Sequence, residues 1–150
     1  MTDSSPQQPN AEVRRTNSGA GRVLVAVYGI FALAATARAS VQLLTKFDQA
    51  PLAYLLSALA GVIYIVATIT LARGTRTSRR VALVAIIIEL VGVLSIGTLS
   101  IVDPEAFPRA TVWSSYGIGY GFVPLVLPIF GLAWLWRTRP IAAPESVEGQ

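Results

Sequence analysis

Arg38 and Glu89 are the two charged residues that fall well inside long apolar runs of the chain. A charge in hydrocarbon is costly unless it is paired or hydrated, so each marks either a contact inside a helix bundle or a working site. A buried carboxyl such as Glu89 has the chemistry of a proton carrier, and a guanidinium such as Arg38 that of an anion contact. Little else could do chemistry. Cys and His are both absent, which removes disulfides, thiolate nucleophiles, most zinc sites and the usual general base near neutral pH. Asp103 and Glu105 lie in one short segment beside Pro104 and Pro108 and read as solvated turn residues. No catalytic residue, no metal ligand set and no cofactor is expected.

The elements that must position these charges are four apolar runs, at 23–45, 52–72, 81–102 and 116–136. Each is close to the roughly 20 residues that cross about 30 Å of hydrocarbon as a helix. The chain is 53% hydrophobic and 13% charged, with a mean hydropathy of +0.59. A soluble core this apolar would be hard to cover. The expected fold is therefore all-α: a polytopic membrane protein with a four-transmembrane-helix domain over 22–139. Polar tails at 1–21 and 140–150 are too poor in apolar residues to fold alone and read as disordered.

Net charge is +4 with a pI near 10.0, yet the basic residues sit at the ends of the runs, where they set topology instead of binding nucleic acid. Arg14, Arg15, Arg22, Arg73, Arg76, Arg79, Arg80, Arg137 and Arg139 fall on one side, against Lys46 and Arg109 on the other. The positive-inside rule then places both termini in the cytoplasm of a plasma-membrane protein. Trp113 and Tyr116 are expected at the outer interface, and Trp134 and Trp136 at the inner one. A cleaved signal peptide is the rival for the first run, with Ala37-Arg38-Ala39 as its A-x-A site. The run resumes through Val41, Leu43 and Leu44, and a charge inside the A-x-A is awkward, so a span is the better reading.

Residues three and four apart share a helix face. Around Arg38 that face carries Tyr28, Phe31, Ala34, Ala35, Gln42 and Thr45; the second run aligns Tyr54, Ser57, Gly61, Tyr64 and Thr68, and the third Ala82, Ala85, Glu89, Gly92 and Ile96. Each run thus has a small or polar stripe suited to close helix packing. At 1.5 Å per residue Glu89 lies about 12 Å above the cytoplasmic edge and Arg38 about 22 Å, so a direct pair between them is left open. Tyr64 falls near the level of Glu89 and Ser57 near that of Arg38. Pro124 and Pro128 are expected to break the fourth helix and free the Tyr120 carbonyl. The expected polar seam gives Arg38 that carbonyl, Gln42 and Ser57 as acceptors, with Glu89 against the Tyr64 hydroxyl.

Gly119-Tyr120-Gly121 has the look of a potassium filter, but no Thr-Val precedes it, Phe122 follows it, and the 103–115 loop is too short for a pore helix. Gly117 and Gly121 are expected instead to form a small-xxx-small helix contact.

Over residues 22–139 the chain resembles small uncharacterised four-span integral membrane proteins of actinobacteria. The resemblance rests on Trp113-Ser114, the stretch Gly119-Tyr120-Gly121-Phe122-Val123-Pro124-Leu125-Val126-Leu127-Pro128, and on Arg38 and Glu89 in the first and third runs. It implies the four-span architecture and carries no activity with it.

Three function classes follow. A non-catalytic accessory or interaction subunit of the cell envelope uses its seam for packing and its loops or lipid face for a membrane-protein partner or a second copy. A small oligomeric proton-coupled transporter uses Glu89 as carrier and Arg38 as anion contact; no inverted repeat between the halves supports it. An enzyme is not expected. The accessory subunit is the preferred reading.

Overall fold

The computed structural model describes residues 19–139, and all of its regular structure is helical. Apart from residues 19–21, the expected polar tails lie outside the described residues. Three long helices, α1 (Gly19–Thr45), α2 (Pro51–Arg73) and α3 (Arg76–Val102), are each long and apolar enough to cross a membrane. A 3-10 segment at Ser114–Tyr120 leads into α4 (Val123–Arg137), and these two could together form a fourth crossing, bent by 98°. α1 runs unbroken through Ala37, Arg38 and Ala39.

Local chemistry sets the ends of these helices. Pro51 opens α2, where its missing N–H would have no helical acceptor. Gly74 closes it in the left-handed region at φ 64°, with its N–H on the Thr70 carbonyl. Thr75 then caps α3, its Oγ1 accepting from the Ser78 N–H at 3.1 Å. The turn between α2 and α3 is therefore two residues long, and the helices must lie antiparallel.

The packing is inside-out relative to a soluble bundle. Many buried positions are small, among them Ala32, Ala35 and Ala39 on α1 and Ala53, Ala60 and Ala67 on α2, while Leu33, Leu44, Val62, Val84, Val91 and Phe130 are exposed. The α1–α2 approach is close enough that a Cβ on Gly61 would come within 3.0 Å of Thr36 Oγ1. Small residues at the joints and large ones outside are what helices need in lipid, where apolar surface has no reason to hide and close backbone contact supplies the attraction. Hydroxyls along the helices satisfy themselves on carbonyls one turn back, as in Thr45 to Val41, Ser57 to Ala53 and Thr70 to Val66.

The fourth run departs from expectation. The 116–136 stretch is not one helix: Ser115, Tyr116, Gly117, Gly121 and Phe122 all have positive φ. The break precedes Pro124 instead of arising from Pro128. Pro124 is the second residue of α4, a position that needs no N–H partner, and α4 continues through Pro128. Gly117 and Gly121 serve the chain reversal and not a helix–helix contact. A Cβ on Gly117 would lie 2.7 Å from the Pro124 ring, and Gly121 has nothing within 4 Å. At 15 residues α4 spans about 22 Å, short of the roughly 30 Å of a hydrocarbon core. The preceding 3-10 segment packs against α3.

That segment is pinned at several points. Thr111 Oγ1 accepts from the N–H groups of Trp113 and Ser114, and Ser114 Oγ accepts from the Thr111 N–H. The Ser115 N–H donates to Ser100 Oγ at 2.8 Å, and the hydroxyls of Tyr116 and Thr98 lie 2.9 Å apart. These contacts hold Ser115 and Tyr116 in the left-handed region, which costs a side-chain-bearing residue about 1–2 kcal/mol. Trp113 is consequently not a belt residue. Trp113 is 2% exposed and lies over Gly92, and Tyr116 lies on Gly97.

Candidate functional site

Four elements converge on Glu89. α3 turns the carboxyl inward between Ala85 and Gly92, neither of which obstructs it, and leaves it with no exposed surface. From α1 the Tyr28 hydroxyl donates to Glu89 Oε2 at 2.8 Å. From α2 the Tyr64 hydroxyl faces both Glu89 and the Trp113 indole without full hydrogen-bond geometry to either. Trp113 comes from the inserted segment. Tyr28 and Tyr64 are themselves fully buried, their ring centroids 6.2 Å apart. Gly131 on α4 makes room, since a Cβ there would stand 3.3 Å from the Tyr28 hydroxyl.

Arg38 is placed apart from this cluster. It is exposed on the C-terminal half of α1, where Nη1 donates to the Tyr120 hydroxyl at 2.6 Å and Nη2 to the Ala110 carbonyl at 3.3 Å. Its guanidinium also stands over the Tyr120 ring, 5.8 Å from the centroid. Arg38 thus clamps the inserted segment from both of its ends. A chain of aromatic contacts runs from it toward Glu89: Tyr120 meets Phe31 at 5.9 Å, and Phe31 meets Tyr64 at 5.8 Å.

The expected seam is regrouped. Tyr64 does lie beside Glu89, but the donor at hydrogen-bond distance is Tyr28. Arg38 takes the Tyr120 hydroxyl and not its carbonyl, because that residue is in the 3-10 segment and its side chain reaches α1. Ser57 spends its hydroxyl on the Ala53 carbonyl in its own helix. Gln42 is half-buried, with Oε1 covered and unpartnered among the described residues. Pro124 and Pro128 are both buried at the base of the inserted segment and along α4.

Tyr28, Trp113 and the Tyr120 hydroxyl were not singled out as partners from sequence. Tyr28 offered a signal. It lies about 8 Å along the first apolar run, and Glu89, about 12 Å along the third from the same end of the bundle, leans toward its own helix N-terminus and so toward Tyr28. Trp113 offered none beyond the gap left by Gly92.

Chemically the cluster is a carboxyl held by a phenol among aromatic rings. Among the described residues no three of His, Cys, Asp and Glu come together as a metal site. Comparison with family models, with curated proteins and with solved structures found no match. The helices support a membrane protein, and the cluster's geometry is the ground for anything finer.

Proposed function

We propose that this chain is a non-catalytic accessory or interaction subunit of the cell envelope, held in the plasma membrane with both termini in the cytoplasm. The observation that carries this is the burial of Glu89: its carboxyl has no exposed surface and is bonded by Tyr28 from another helix. A proton carrier must meet water on each side in turn; this carboxyl is built into the joint of α1, α2, α3 and the inserted segment. Arg38 is likewise engaged as a clamp. What the molecule offers outward is apolar helix surface suited to lipid and to another membrane protein or a second copy. The resemblance to actinobacterial four-span proteins is part of the same proposal.

Extraction in mild detergent followed by mass measurement of the intact complex tests it. The expected result is a stoichiometric assembly with a larger membrane protein. A pure homo-oligomer that moves protons in reconstituted vesicles, and loses that flux on Glu89→Gln, would overturn it in favour of the proton-coupled transporter.

Orientation is tested separately. Thr77 in the first turn of α3 and Ala106 in the loop that follows it are both exposed. In intact cells Ala106→Cys should react with an impermeant thiol reagent and Thr77→Cys should not; the reverse pattern would invert the topology.

A further inference from the structure

At the Arg-rich end of the bundle, the first turns of α3 and the end of α4 enclose a cleft of about 330 Å³. Its walls carry Arg76, Arg79, Arg80 and Arg139, its floor Leu83 and Leu135, and its rim Trp136. We propose that this cleft binds the phosphate of an anionic phospholipid headgroup.

Four guanidinium groups share the space, and Arg139 is close enough to Arg79 for their charges to repel. Among the described residues no carboxylate offsets them, since Asp48, Asp103 and Glu105 lie at the other end and Glu89 within the bundle. Three of the arginines also stand in the opening turns of α3, whose first turn has no acidic residue. A helix N-terminus carries partial positive charge, so cations there are unfavourable unless an anion joins them. The N–H groups and dipole of that terminus favour the same anion as the guanidiniums do.

The shape points to lipid instead of a free solute. The floor is apolar, and Trp136 is 66% exposed on the rim with Arg139 stacked 5.4 Å from its ring centroid. That combination of amphipathic aromatic and basic groups suits the headgroup level of a bilayer. Arginine presents paired N–H groups that match phosphate oxygens, and basic pockets between spanning helices are suited to lipid phosphates. Arg79 is partly committed, donating to the Leu135 carbonyl at 2.8 Å and to Thr138 Oγ1 at 3.0 Å, so it ties the two walls together. Among the described residues Arg76 and Arg80 make no such bond, which leaves them to meet the ligand.

The proposal needs only that the helices cross a bilayer, so it stands or falls apart from the accessory-subunit reading. The test uses the full chain in nanodiscs of phosphatidylcholine alone or with phosphatidylglycerol, scoring retained lipid by native mass spectrometry. Phosphatidylglycerol should be retained selectively. Arg76→Gln with Arg80→Gln should weaken that retention about thirty-fold, taking each lost arginine as roughly five-fold, with unchanged melting in phosphatidylcholine. Arg22→Gln with Arg73→Gln removes the same charge at the same end, outside this cleft, and should weaken it less than three-fold, about half of one such arginine. Equal losses from the two pairs would reduce the site to diffuse attraction and overturn the proposal. Displacement of the lipid by inorganic phosphate at matched concentration would do the same, as would a ten-fold gain in lipid affinity on Glu145→Gln with Glu148→Gln, which would make the chain's own acids the occupant.

Discussion

Gly97→Val should dislodge the inserted segment and destabilise the protein by about 3 kcal/mol, at the upper end of overpacking effects. A Cβ at this position would lie 2.6 Å from Tyr116 Cδ1 and 2.8 Å from the Tyr116 backbone nitrogen. Backbone cannot swing aside as a side-chain tip can. Tyr116 is also held by its hydroxyl contact with Thr98 and, through Ser115, by Ser100. The segment can relieve the clash only by leaving α3, which would uncover Trp113 above Gly92. Denaturation in detergent measures the loss. Acrylamide quenching of Trp113, in a background with Trp134→Phe and Trp136→Phe, locates it. Gly119→Val is the control, because a Cβ there meets nothing within 4 Å, and it should change neither. Equal melting of Gly97→Val and Gly119→Val would show that the segment is not seated on α3.

The three long helices were legible because an apolar run of spanning length has few other readings, and Glu89 because a charge in such a run must be resolved by something. Its partners were not legible. A 3.6-residue period says which side chains share a face but not how far each helix is rotated or which helices are neighbours. Height comparison pointed to Tyr64, whereas Tyr28 reaches the carboxyl from α1 although that helix does not pack directly on α3. Gln42 shows the same limit: it shares a helical face with Arg38, yet Arg38 extends toward Tyr120 and Ala110 instead.

The fourth run misled because Tyr116 to Phe122 is apolar enough for a span and glycine-rich enough for a reversal. Glycine at 117, 119 and 121 just ahead of Pro124 was a breaker signal. It was outweighed by length. What favours the reversal is tertiary: the grooves at Gly92 and Gly97 accept the rings of Trp113 and Tyr116.

The cluster at Glu89 yields the prediction that separates structure from transport. Tyr28→Phe keeps the ring in its packed place and deletes the O–H donor, leaving a buried carboxyl without its bonded partner; the expected cost is about 2 kcal/mol, the penalty for stranding such a group. Glu89→Gln differs in kind. Its amide oxygen can still accept from Tyr28, and its size is unchanged, so a packing role predicts a loss below about 1 kcal/mol, within the range of one neutral hydrogen bond. What the amide cannot do is release a proton. Tyr28→Phe with Glu89→Gln should then lose less than the two single changes added together, because both act on the same hydrogen bond, which is lost once. Melting of all three variants in detergent, beside growth of cells carrying each, gives the comparison. We expect Glu89→Gln to fold and to support growth as the native chain does, with Tyr28→Phe impaired in proportion to its lost stability. A Glu89→Gln protein that melts normally yet reproduces the deletion phenotype would show that the proton itself is used, and the joint at Glu89 would have to open to water during the working cycle.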